Sequence, residues 1–139
     1  HEATRFIGTM NYGYAGTREM NEALASRFMV LHMPVISAEN LQKLIKDKYP
    51  TLKPEYISQF ATLFDEIRKK CEGGEISTRS LDLRGLISCI GMMKKGLGVT
   101  KALEMGLINK CFDEYERQLI LDIVSARLPA SLSGENIFS

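Results

Sequence analysis

The sequence predicts a mainly α protein in which a short strand–loop–helix–strand opening precedes a helical bundle. Three observations predict it. Before Pro34, apolar residues come in two short continuous runs separated by a glycine-rich loop. After Ser37 they recur at i, i+3 and i+4 through successive stretches, the period of one helical face. Pro50, Gly73-Gly74 and Pro129 divide those stretches, and such residues punctuate helices.

Thr4-Arg5-Phe6-Ile7-Gly8-Thr9 reads as a short buried strand ending in a polar turn. Asn11-Tyr12-Gly13-Tyr14-Ala15-Gly16-Thr17 follows as the glycine-rich loop. Between Glu19 and Phe28, the residues Met20, Leu24 and Phe28 share one face of a short helix. Met29-Val30-Leu31-His32-Met33 is a second apolar run, closed by Pro34. Runs that are apolar on both faces suit the centre of a parallel sheet, and two strands alone do not make a stable one. Residues 1–34 are therefore expected to be the end of an α/β core whose other strands lie outside this sequence.

Residues 35–128 are expected to form the bundle. Ser37 caps a helix carrying Leu41, Leu44 and Ile45, which ends before Pro50. Pro54 suits the first turn of a second helix, whose stripe is Ile57, Phe60, Leu63, Phe64, Ile67 and Cys71. Ser77 or Thr78 caps a third, with Leu83, Leu86, Ile87 and Ile90 inward. Thr100 opens a fourth, bearing Leu103, Leu107 and Ile108. Asp113 and Glu116 make a capping box for a fifth, bearing Leu119, Ile120, Ile123 and Val124. Residues 129–139 are polar and are expected to be a flexible, frayed tail.

Composition narrows the function classes. At 45% hydrophobic and 25% charged residues, the chain is too apolar to remain disordered. Eighteen basic and 17 acidic residues leave a net charge of +1, so no bulk field draws it to nucleic acid or an anionic membrane. Phosphate recognition would have to be local. No apolar run approaches the ~18 residues of a membrane helix, and mean hydropathy is -0.10. No signal-peptide pattern opens the chain, which gives a cytoplasmic expectation. Cys71, Cys89 and Cys111 are odd in number and widely spaced, suiting a reducing compartment. No CxxC occurs and both histidines lie far from the cysteines in sequence, so no metal site is expected.

Three residues stand out as chemistry. Asn11 follows an apolar strand, and strand C-terminal ends are where open α/β sheets place ligands. Its neutral amide can hold a water or a phosphate oxygen. Arg27 ends the short helix, where a guanidinium either pairs internally or reaches a phosphate on a neighbouring subunit. Arg79 lies in the expected first turn of the third bundle helix, where a helix N-terminus also favours an anion. Taken singly, such residues are more often turn formers and solvated surface cations.

In order, Phe6-Ile7-Gly8-Thr9-Met10-Asn11, Glu22-Ala23-Leu24-Ala25-Ser26-Arg27-Phe28 and Ile76-Ser77-Thr78-Arg79-Ser80 resemble the C-terminal half of an AAA+ ATPase module, within it the MoxR branch. The likeness covers Phe6 to Arg127. It implies the end of an AAA+ α/β core followed by a helical lid, hinged at residues 34–37. It implies that Asn11 is the catalytic sensor 1, positioning the attacking water, and that Arg27 is the catalytic arginine finger of the adjacent subunit's site. Arg79 would be sensor 2, binding the nucleotide γ-phosphate. ATP and Mg²⁺ are implied as cofactors of the full-length parent. So are a self-assembled ring, a hexamer, and chaperone-like remodelling of a client, sometimes through a partner with a von Willebrand factor A domain. Neither nucleic acid nor membrane is implied as a partner. MoxR proteins commonly carry Asn-Pro at sensor 1, where this chain has Asn11-Tyr12. Gly8-Thr9-Met10-Asn11 is also similar to the GTP-dependent McrB motor. That family shows Asp-Arg in the next loop and a double Arg before Phe, where this chain has Gly13-Tyr14-Ala15-Gly16-Thr17 and Ser26-Arg27.

Those roles suit phosphoryl transfer, which needs an in-line water and cancellation of charge on the phosphoryl oxygens. The phosphate-cradling GxxxxGK[ST] does not occur in these 139 residues. The chain alone is therefore expected neither to bind ATP tightly nor to hydrolyse it. From a different class, the alternative reading is a stand-alone helical adaptor in which Arg27 and Arg79 are surface residues. Leu63-Phe64-Asp65-Glu66 imitates a Mg²⁺-holding acidic pair but lies within a helical stripe. His32 reads as structural within its apolar run, Tyr12 and Tyr14 as packing residues, and Met92 and Met93 as core filling. Lys69-Lys70 and Lys94-Lys95 read as solvated pairs, and Arg18 as a second cation that could bridge subunits.

Overall fold

Local sequence decides where the helices of residues 35–139 begin and end. The structure is a computed structural model describing residues 1–10 and 20–139, and it divides into two units, His1–Pro34 and Val35–Ser139. In the second unit α2 (Ala38–Lys48) starts where Ser37 Oγ accepts from the Asn40 N–H at 3.3 Å. The first unit holds α1 (Glu22–Ala25). Pro54 occupies the first turn of α3 (Pro54–Glu72), where its missing N–H has no helical partner to lose. Gly74, at φ +74°, stops α3: its N–H reaches Cys71 O at 3.1 Å and that of Glu75 reaches Lys70 O at 3.0 Å. Only glycine takes that backbone freely.

A single 3₁₀ turn, Thr78–Ser80, intervenes before α4 (Leu83–Lys94). The expected cap at Ser77 or Thr78 is thereby corrected. Asp82 is the cap, accepting from the Gly85 N–H at 2.8 Å. The serine-rich segment makes its own short turn because its hydroxyls are committed elsewhere, as shown below. Gly96, at φ +96°, closes α4 as Gly74 closes α3. Next come α5 (Val99–Gly106), a second 3₁₀ turn (Ile108–Lys110), α6 (Glu114–Arg127) and α7 (Gly134–Ile137).

The core lies between these helices. α2 packs on α3, α3 on α6, α4 on α5, and α7 on α4. Leu41, Ile45, Phe60, Leu63, Ile67, Leu86, Ile90, Leu103 and Ile120 are fully buried, each stabilising by about 1.5–3 kcal/mol against an exposed state. α4 and α5 approach closely at Gly85 and Gly106: a Cβ on Gly85 would lie 2.5 Å from Gly106 O. Cys89 Sγ donates to Ala102 O at 3.1 Å across the same crossing. Among the described residues no helix is long and apolar enough to cross a membrane.

The tail departs from its expectation. Residues 129–139 are docked. Ile137 is fully buried, and its carbonyl accepts from the Lys53 N–H at 3.0 Å. Ser139 donates its N–H to Thr51 O at 2.8 Å, and Phe138 forms an antiparallel bridge with Leu52. A Cβ on Gly134 would lie 2.6 Å from Leu97 O, so the absence of a side chain there lets α7 seat. Leu132, Ile137 and Phe138 among polar residues were too few to show helical period, yet all three pack on the core of the bundle.

Within the first unit, α1 is capped by Asn21 Oδ1, which accepts from the Ala23 N–H at 2.8 Å. It is a single turn, shorter than the expected helix over 19–28, and buries none of its residues. Without a packed face a helix this short has little to sustain it. The two expected strands are also corrected: residues 4–9 and 29–33 form no strand. Their side chains are open to solvent, Ile7 at 93% and Met29 at 95%. A strand exists only through its ladder, and the described residues supply no partner.

Candidate functional site

The site is assembled around the Thr78–Ser80 turn. A three-residue 3₁₀ turn has poor hydrogen-bond geometry and little stability of its own. Here it is held by the carboxylate of Glu116, in the first turn of α6. Glu116 Oε1 accepts from the Ser77 N–H at 2.7 Å. Its Oε2 accepts from Ser77 Oγ at 3.1 Å and from Ser80 Oγ at 3.2 Å. Bonds to an ionised acceptor are the stronger kind, and Glu116 also sits favourably at the positive end of α6. Cys71 Sγ supports the turn from α3 by donating to Ser77 O at 3.4 Å. Cys111 Sγ lies 3.6 Å from Ser80 Oγ.

Half of the expected capping box forms. Asp113 Oδ1 accepts from the Glu116 N–H at 2.9 Å. The Glu116 carboxylate does not return to Asp113, because three donors of the 77–80 segment engage it instead. The pair was readable as a helix start. The partner 36 to 39 residues away was not, although two serines around one exposed arginine were a usable signal.

Arg79 stands in the middle of that turn, exposed. Among the described residues it makes no ion pair, whereas Arg68 and Arg127 do. It is four residues short of α4 and so outside that helix's first turn, where the sequence had placed it. Arg27 is likewise exposed, in the turn after α1, its N–H reaching Leu24 O at 3.1 Å. The two arginines belong to different units. Asn11, together with Tyr12, Tyr14 and Arg18, lies outside the described residues. His32 is exposed and in no strand, so its expected structural place within a strand is corrected along with the strand itself.

Asp65 and Glu66 are engaged in ion pairs. Asp65 accepts from Arg68 at 2.6 Å and from Lys69 at 3.0 Å. Glu66 pairs with Arg127 Nε at 2.7 Å, tying α3 to α6. Lys70 binds Glu75, and Met93 is buried in the core. The Arg68 hydrogen bond holds the Asp65 carboxyl below its usual range, and the Arg127 hydrogen bond does the same for Glu66. A depressed carboxylate binds protons more readily when unfolded. Its stabilisation is complete above the ordinary value, 4.5 for Glu66, and is lost as pH falls through the lower folded value. Thermal melts should therefore show stability declining below that range. Arg127→Gln should flatten the decline, and an unchanged pH profile in the variant would refute the assignment.

Cys71 and Cys89 are poor nucleophiles. Burial pushes the Cys89 thiol up to about 11 and raises that of Cys71, so both stay protonated at neutral pH. Arg79 displays an exposed guanidinium on a braced turn of the second unit, suited to an anion with several oxygens.

No protein-family model and no solved structure matches the chain. Uncharacterized proteins of Staphylococcus aureus do, in strains NCTC 8325, COL and USA300, each 31% identical over 118 residues. The matched stretch is 85% of this chain and 44% of each relative. The chain thus spans less than half the length of the curated relatives it matches.

Proposed function

We propose that this chain is the sensor-and-lid part of a MoxR-type AAA+ ATPase, which couples ATP hydrolysis to remodelling of a client protein. The observation that carries it is Arg79: an exposed guanidinium without an ion-pair partner among the described residues, on a turn braced from a second helix. A surface cation with no task has no need of such bracing. Order along the chain adds to this, with Asn11 after an apolar run, Arg27 after a short helix and Arg79 before a bundle helix. The greater length of the relatives is compatible with an upstream half.

Arg79 and Arg27, each in its own unit, are exposed guanidinium donors of the kind that binds phosphate. Asp65 and Glu66 offer no free acidic pair for Mg²⁺, since both are engaged. Bound ATP would supply the scissile phosphoanhydride. In this reading Arg79 neutralises γ-phosphate charge from the lid, and Asn11 orients water without bringing charge to it. Arg27 completes a neighbour's site, so hydrolysis depends on ring assembly.

The reading of the helical unit as an adaptor without nucleotide chemistry is favoured by one observation: residues 4–9 and 29–33 are exposed and form no strand. The coding sequence upstream of His1 separates the two. A GxxxxGK[ST] after a strand, followed by an acidic strand end, is expected. A start codon close to His1 would overturn the ATPase reading in favour of the adaptor. With the motif present, Arg79→Ala should weaken the coupling of lid position to ATP, read by fluorescence transfer between core and lid. An unchanged lid response would remove sensor 2 from Arg79.

A further inference from the structure

We infer that Glu116 is the positioning residue for Arg79, an assignment that rests on the ATPase reading. Thr78–Ser80 is too short to keep its shape unaided. Ser77, which precedes it, and Ser80, its last residue, face one carboxylate, and Arg79 lies between them, exposed. Glu116 accepts from three donors of this segment, one a main-chain N–H, so it sets the backbone as well as the hydroxyls. Ser80 is buried, so its bond to Glu116 is partly shielded from water, where hydrogen bonds to a charge are worth more, while the two Ser77 bonds lie at the exposed edge. Because α6 is anchored to α3 by Arg127 and Glu66 and by buried Ile120 and Val124, Glu116 refers Arg79 to a rigid frame. A small displacement of a phosphate-binding cation is costly to rate.

The assignment separates Glu116 from a merely structural side chain through its dependence on Arg79. In the full-length ATPase, Glu116→Ala should lower kcat/KM for ATP hydrolysis by about tenfold or more, approaching Arg79→Ala. The double variant should be no worse than Arg79→Ala alone, since the brace acts only through the arginine. Glu116→Gln should retain most activity: its carbonyl still accepts from the Ser77 N–H, and the serine hydroxyls reverse to accept from its amide. Amide exchange at Ser77 should speed up by about tenfold or more in Glu116→Ala, with Phe60 and Leu63 unchanged.

Wild-type kcat/KM in Glu116→Ala beside an impaired Arg79→Ala would overturn the positioning role and leave the ATPase reading standing. So would a double variant in which the two losses multiply. Wild-type hydrolysis in Arg79→Ala would instead overturn the sensor assignment itself, and the positioning role with it.

Discussion

On the proposed ATPase reading, Arg27→Ala in the full-length protein is expected to lower turnover about 10³-fold or more while ATP still binds. The residue is exposed, in the turn two residues after α1. A guanidinium supplied to a phosphoryl transition state acts mainly on charge that develops during transfer. Its removal should therefore appear in kcat and spare the dissociation constant of a nucleotide. The sharper test is complementation. Subunits carrying Arg27→Ala, mixed with subunits whose phosphate loop is disabled but whose Arg27 is intact, should regain part of the activity. Each composite site then takes its nucleotide from one subunit and its arginine from the other. Wild-type turnover in the single variant would exclude the finger. Impaired turnover with no complementation would place Arg27 within its own subunit's structure.

The bundle was largely legible because its helices carry their limits locally. Ser37, Pro54, Gly74 and Asp113 act on the few residues beside them, and the apolar stripe of α3 reports its buried face directly. The opening was not legible in the same way. Apolar runs at 4–9 and 29–33 state only that they want a ladder, and no partner occurs among the described residues. The site lay between these cases. Arg79 was visible as a residue type at a plausible position. Its turn and its brace depend on a contact between residues 77–80 and Glu116, a long-range pairing that no local period encodes. The same holds for Glu66, whose partner Arg127 is 61 residues away, so an apparent metal-holding pair resolves into an interhelical tie.

The docked tail leads to the other large effect, on stability. Ile137→Ala is expected to cost about 2–5 kcal/mol, the range for truncating a fully buried aliphatic side chain. A frayed tail would show essentially no change. Ile137 is completely enclosed, and its carbonyl is engaged by the Lys53 N–H at the start of α3. The cavity would open between α7 and α4, which pack on each other. Their freedom to collapse inward is small, because Gly134 already rests against the Leu97 and Met93 carbonyls. In a unit of this size the loss should lower Tm by about 10 °C or more. Deleting Ser139 alone removes two bonds to Thr51 O at the exposed margin and should shift Tm far less. Equal, small effects from both changes would mean that α7 contributes little to the fold. A large effect from Ile137→Ala alone would make residues 129–139 an integral layer of the bundle, which then extends past Leu128.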